Sequence, residues 1–212
     1  MSVPRVDPET GGGPTTIDLI RHGEPEGGVL FRGWRDDPLS DRGWRQMREA
    51  TAGHAPWDRI ISSPLLRCAQ FAAELSHKAG IPMTIDERLK EIGFGDWEGR
   101  SPEILYRESP QLVGAFWNNP VDCPPPGGEP MTRFQSRVAS AWRDIQSLHE
   151  GQHLLIVAHG GVNRMIIGQV LEISLRHLFR IELPYAGISR IRIEQGCPRL
   201  VFHCGSAAPE ND

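Results

Sequence analysis

The chain is 212 residues long, enough for one substantial hydrophobic core and short of the length at which a second domain has to be assumed. Its 39% hydrophobic and 24% charged residues exclude a disordered, fibrous or membrane-spanning class. A formal net charge of −4 offers no general attraction for nucleic acid or an acidic membrane surface, so any anion must be met by a local cationic pocket.

The first fourteen residues are polar, contain Gly11-Gly12-Gly13 and lack an apolar leader core, so a flexible tail and a cytoplasmic location are expected. Thr15 to Ile20 is short and β-branched and halts at Arg21-His22-Gly23, which places His22 at the carboxyl end of a buried strand. Ser40 is suited to cap a helix from Asp41 to about Thr51, and Arg59 to Ser62 reads as a second strand. With Ser63 as cap and Pro64 in the first turn, a helix is expected to run through Leu65, Ala69, Ala72 and Leu75 to Gly80. Arg67 falls in its first turns.

Met83 to Ile85 is a candidate third strand, and Glu91 to Gly99 an ordered Gly/aromatic loop. Short helices are expected near Pro102–Arg107 and Gln111–Asn118, and the Pro/Gly-rich Asn119–Pro130 has the length of an active-site loop. Met131 to His149 carries Phe134, Val138, Ala141, Ile145 and Leu148 on one helical face. His153 to Ala158 is the clearest buried strand, ending at His159-Gly160-Gly161 before a helix from Val162 to Val170. Ile188–Glu194 and Leu200–Cys204 alternate as a terminal strand pair would.

Strands alternating with helices imply an α/β fold, three-layered α/β/α with a mostly parallel sheet, and such sheets collect ligands beyond their strands' carboxyl ends. Arg21-His22-Gly23, Ser62-Ser63 with Arg67, and His159-Gly160-Gly161 should therefore converge. Two histidines and two arginines with adjacent glycines suit a dianion, phosphate above all. An imidazole there can act as a nucleophile, with a carboxylic acid protonating the leaving oxygen; Glu91, Asp96 and Glu98 are the candidates. No carboxylate cluster stands beside the histidines, which argues against a metallohydrolase. His54, His77, His149, His177 and His203 lack strand-end placement and read as structural. Cys68, Cys123, Cys197 and Cys204 form no Cys-x-x-Cys and are expected to be reduced thiols.

Leu19-Ile20-Arg21-His22-Gly23-Glu24, Ser62 to Cys68, Leu89 to Gly99 and Ala158 to Gly161, as an ordered set over about residues 15 to 204, resemble the histidine phosphatase, or phosphoglycerate mutase-like, superfamily. The resemblance implies one domain over residues 15–207 with tails at 1–14 and 208–212. It implies His22 as phosphorylated nucleophile, Arg21 and Arg67 as phosphate clamps, His159 as second phosphate-pocket imidazole and Glu91 as proton donor. No metal or cofactor is implied. The partner is a small phosphate ester, without nucleic acid or membrane; the oligomeric state stays open.

Phe94 to Gly99, Phe116-Trp117 and Pro124 to Glu129 look most like the α-ribazole phosphatases of cobalamin nucleotide-loop assembly. A phosphoglycerate mutase or broad-specificity sugar phosphatase would share the same residues, and a noncatalytic phosphate-binding module is the rival from another class. Mutase relatives look longer in the middle. One departure is Gly28, where many relatives carry asparagine; Arg32 is either a compensating cation or a solvated loop residue. Phe94, Trp97, Phe116 and Trp117 are either core or leaving-group wall, with Arg100 and Arg107 the only further cations expected nearby.

Overall fold

A computed structural model describes residues 13–52 and 55–205. The tail residues 1–12 and 206–212, and His54, lie outside the described residues. Six strands form one sheet in the order β3-β2-β4-β1-β5-β6, with β1 at Thr15–Arg21, β2 at Arg59–Ser62, β3 at Met83–Ile85, β4 at His153–Ala158, β5 at Ile188–Glu194 and β6 at Cys197–Gly205. The pairs β3/β2, β2/β4 and β4/β1 are parallel; β5 and β6 add an antiparallel edge. This is the phosphoglycerate mutase-like α/β architecture expected from the sequence.

The central strands are apolar on both faces because both faces are covered. Leu154, Ile156 and Ala158 of β4 pack with α5 (Met131–Leu148) and α6 (Gly160–Val170). Leu155 and Val157 pack with α1 (Asp41–Ala50) and α2 (Leu66–Ala79). Two short helices, α3 (Pro102–Glu108) and α4 (Pro110–Asn118), close a third cluster around Phe31, Trp97, Leu105, Val113 and Phe116. On the α1/α2 face one polar group interrupts β1: the Asp18 carboxylate, fully buried, accepts from Trp57 Nε1, His153 Nε2 and Arg190. Burial opposes its charge, but these donors outweigh burial and hold its pKa below the usual carboxylate value.

Several boundaries differ from expectation. Helix α2 begins at Leu66 with Leu65 at the cap position, and Ser63 does not cap it: its hydroxyl accepts from Leu65 N and is shared with His159. The helix α6 begins at Gly160, two residues early, with His159 at its cap position. Leu148, expected on the packed face, is the last residue of α5 and is 74% exposed. Strand β6 starts at Cys197 instead of Leu200. Residues 175–180 form a 3₁₀ turn that the sequence pattern did not single out.

The segment carrying His22 is wedged against α1 by two glycines. A Cβ on Gly23 would strike the Gly43 backbone, and one on Gly43 would strike the Glu24 carbonyl, so neither clash can be relieved by a side-chain rotation. Gly43→Ala should therefore destabilise the protein by about 1–3 kcal/mol, a typical overpacking cost. It should also displace His22 and lower turnover. A urea melt and a phosphatase assay check both, and a neutral variant would contradict this packing.

Candidate active site

Beyond the carboxyl ends of β1 and β4 lies a cavity of about 320 Å³ walled by Arg21, His22, Arg32, Glu91, Gly160, Gly161, Arg164 and Tyr185. Its aromatic wall is Phe31, Phe94, Trp117 and Phe179. A larger hollow of about 780 Å³ between Thr15, Arg143 and Arg199 has no histidine in its wall and sits at the opposite, amino end of β1.

The structure brings the five expected residues together, but at two depths. The rings of His22 and His159 meet edge to face with centroids 5.2 Å apart. His22 Nδ1 lies 2.7 Å from the Gly23 carbonyl, which only accepts, so Nδ1 carries the proton and the Nε2 lone pair is left over. His159, fully buried behind it, shares a 2.7 Å hydrogen bond with Ser63 Oγ and has the Cys68 thiol beside its ring. Arg67 is 1% exposed and donates to the carbonyls of Arg35 at 2.7 Å and Gly33 at 2.8 Å, while its Nε is buried without a partner. Arg21 donates to Leu183 O at 2.5 Å, stacks on Tyr185 at 4.2 Å, and also has a buried Nε without a partner. Neither Arg67 nor Arg21 makes a salt bridge to a carboxylate among the described residues, so the two charges are available to an anion.

These charges set the state of the histidines. Burial first, then Arg67 and Arg21, push the His22 pKa well below its ordinary value; burial and Arg67 do the same to His159. Both rings are neutral at pH 7, as an imidazole nucleophile requires. Burial likewise raises the Cys68 thiol far above its ordinary pKa, which keeps it in the unreactive thiol form.

Of the three candidate carboxylates, only Glu91 lines the cavity. It accepts from Ile92 N at 2.9 Å and Gly161 N at 3.0 Å, and a Cβ on Gly161 would displace the carboxylate from this position. Glu98 instead accepts from Trp34 N, Arg35 N and Phe94 N, stapling two loops together, and Asp96 is exposed. Asn119–Pro130 does not line the cavity, contrary to expectation; it buttresses the Glu91 loop from behind. Its Glu129 takes a bidentate pair from Arg137, and Arg137 also donates to the carbonyls of Arg88, Lys90 and Glu91. Sequence reasoning placed Ser63 at the site but read it as a helix cap, and it missed this brace together with Tyr185 and Arg164. Of these, only Arg164 carried a signal, by its closeness to His159.

The further cations are not Arg100 and Arg107: Arg100 pairs with Glu108, and neither lines the cavity. Arg164, anchored by Nε to Ile181 O at 2.7 Å, and Arg32 take that place. Trp97 and Phe116 are core, whereas Phe94 and Trp117 line the cavity.

The family model for the histidine phosphatase superfamily (branch 1) matches residues 17–204, the span that holds every residue just described. The chain belongs to the histidine phosphatase superfamily. It is 34% identical over 188 residues to a protein named putative phosphoserine phosphatase 2 from Hydrogenobacter thermophilus, covering 87% of this chain and 92% of that one. It is 33% identical to the adenosylcobalamin/alpha-ribazole phosphatase of Salmonella typhimurium, over 88% and 89% of the two chains. The solved alpha-ribazole phosphatase of Shigella flexneri superposes with a TM-score of 0.80 at 27% identity, covering 92% of this chain and all of that one. The protein is thus an enzyme, a phosphatase of the histidine type.

Two histidines buried neutral make a phosphatase of this kind sensitive to acid. Their folded pKa values lie below the unfolded value of about 6.5, so the folded state binds fewer protons. The stability they contribute is complete above about pH 6.5 and is lost as pH falls below it, at up to about 1.4 kcal/mol per pH unit for each ring. In phosphate-free buffer, His159→Asn should flatten the fall in unfolding free energy between pH 7 and 5. Parallel curves for the two proteins would contradict the neutral assignment.

Proposed function

We propose that the protein is a metal-independent phosphomonoesterase that works through a covalent phosphohistidine at His22. The observation that carries this is the His22 ring itself: Nδ1 bonded to Gly23 O, basicity depressed, and the cavity shared with Arg21 and Glu91. In the first step His22 Nε2 attacks phosphorus and the P–O ester bond breaks. The leaving oxygen takes the proton of the Glu91 carboxylic acid. In the second step Glu91, now a carboxylate, removes a proton from water; the water oxygen attacks phosphorus, the P–N bond breaks, and inorganic phosphate leaves with neutral His22 restored. Arg21 and Arg67 clamp the phosphoryl oxygens and His159 lies behind the nucleophile as the second imidazole of the phosphate pocket. The fold is expected to act as one domain over residues 15–207.

For the leaving group, the reading favoured is a flat heteroaromatic nucleoside, such as that of α-ribazole 5′-phosphate. Four aromatic rings, Phe31, Phe94, Trp117 and Phe179, wall the cavity, and relatives carrying that activity in their names support it. Stacking is worth about 1–3 kcal/mol per base. A second reading, a small ester with a carboxylate on the leaving group, is favoured by Arg164, which lines the cavity without a carboxylate partner among the described residues. A relative named a putative phosphoserine phosphatase fits that reading.

Glu91→Gln should lower turnover of alkyl phosphates by about 10²- to 10⁴-fold and largely spare p-nitrophenyl phosphate, whose leaving group scarcely needs a proton. Equal losses would move the acid elsewhere. In direct competition, α-ribazole 5′-phosphate should outpace 3-phosphoglycerate and phosphoserine by roughly tenfold in kcat/KM, half a stacking contact. Preference for either carboxylate substrate would select the second reading.

A further inference from the structure

Arg32 takes no part in the mechanism above, yet it is built into the cavity wall. Its side chain is 6% exposed. Nε donates to Asp37 Oδ2 at 3.1 Å, and Nη2 donates to the carbonyls of Glu26 and Gly28, the latter at 2.7 Å. Gly27 and Gly28 both adopt positive φ, +82° and +77°, which turns those carbonyls back toward the guanidinium. Three bonds thus fix a long side chain that is otherwise rich in rotamers. Its remaining nitrogen, Nη1, makes no hydrogen bond to the protein among the described residues, and the side chain lines the same cavity as His22.

After burial, the guanidinium groups of Arg67, Arg21 and Arg32 are what depress the basicity of His22, and Arg32 interacts electrostatically with Arg67 and Tyr185. Asp37 neutralises Arg32 only from the Nε side, and shares its carboxylate with Arg35. A half-compensated, immobilised guanidinium held near two others beside a nucleophile has an anion as its natural third partner.

We propose that Arg32 is a further catalytic residue whose Nη1 edge donates to the phosphoryl oxygens as the group passes to and from His22, making a three-sided clamp with Arg21 and Arg67. Charge in phosphoryl transfer is spread over three equatorial oxygens, so a third fixed donor acts on the transition state and is blind to the leaving group. The clamp rests on the phosphohistidine reading. It also accounts for Gly28: the loop offers a backbone carbonyl that aims Arg32, and no side chain of its own.

Arg32→Gln and Arg32→Lys, compared with wild type on p-nitrophenyl phosphate and an alkyl phosphate, test it, with orthovanadate as inhibitor and melting temperature measured without anions. The clamp predicts that Arg32→Gln loses about 10²-fold in kcat/KM by the same factor on both esters. Vanadate inhibition should weaken in parallel, and Arg32→Lys, which keeps the charge and loses the fork, should fall between. Lower melting temperature with vanadate affinity unchanged would reduce Arg32 to a loop anchor and overturn the proposal. A loss confined to one ester would place it on the leaving group and overturn it equally. If wild type forms phosphohistidine at the rate of Arg32→Gln, the clamp fails and the mechanism stands; if wild type forms none, the mechanism itself fails.

Discussion

Parallel pairing of β1 with β4, in a register that sets Arg21 opposite Ala158, is the constraint on which this site depends. The next residue of each strand is a histidine, and the bond from His22 N to Ala158 O carries the ladder one step past the strand end. The two rings are thereby brought edge to face by backbone geometry before any side-chain contact contributes. A one-residue slip would exchange the faces of Ile17 and Asp18 and turn a carboxylate into the α5/α6 core, so burial on both faces fixes the register and the register fixes the site.

Around that pair the protein gathers positive charge that the fold does not neutralise. Arg67 and Arg21 keep buried nitrogens without partners, and the carbonyls that hold them fix orientation without cancelling charge. Such an arrangement costs stability in the free enzyme and is relieved when a phosphate ester binds, so binding and folding should be linked: a bound anion stabilises the folded state by mass action. Burial first, and then this same uncompensated charge, lower the basicity of His22, so the residues that would bind the anion also favour the neutral ring that the proposed nucleophile needs.

What could be read from the sequence was whatever depends on short stretches. β1, β2 and β4 are brief apolar runs with a glycine, proline or charged residue at their ends, and Ser40 caps α1 by accepting from Gly43 N, so these elements were legible. His22 and His159 were legible as candidates because each follows a strand end, Arg67 because it falls in the first turn of the helix after β2, and Glu91 as one of three carboxylates in the Gly/aromatic loop, singled out by the family resemblance. Features created only by tertiary approach were not. Ser63 looked like a helix cap because its spacing to Pro64 is right; its hydroxyl is shared with a histidine 96 positions away. Arg32 was ambiguous because its burial depends on Asp37 and two loop carbonyls. The Arg137–Glu129 brace is an ordinary charge pair in sequence and becomes a support for Glu91 only when α5 docks beneath that loop.

The central claim is that His22 becomes covalently phosphorylated during turnover, and it is tested most directly by rapid quench into alkali followed by mass spectrometry of the peptide containing residue 22. The account predicts a phosphoryl group on His22 that survives alkali, is lost in acid, and forms at least as fast as the steady-state rate. Turnover at an undiminished rate in His22→Ala, or a phosphoryl group found on another residue with His22 unmodified, would contradict it.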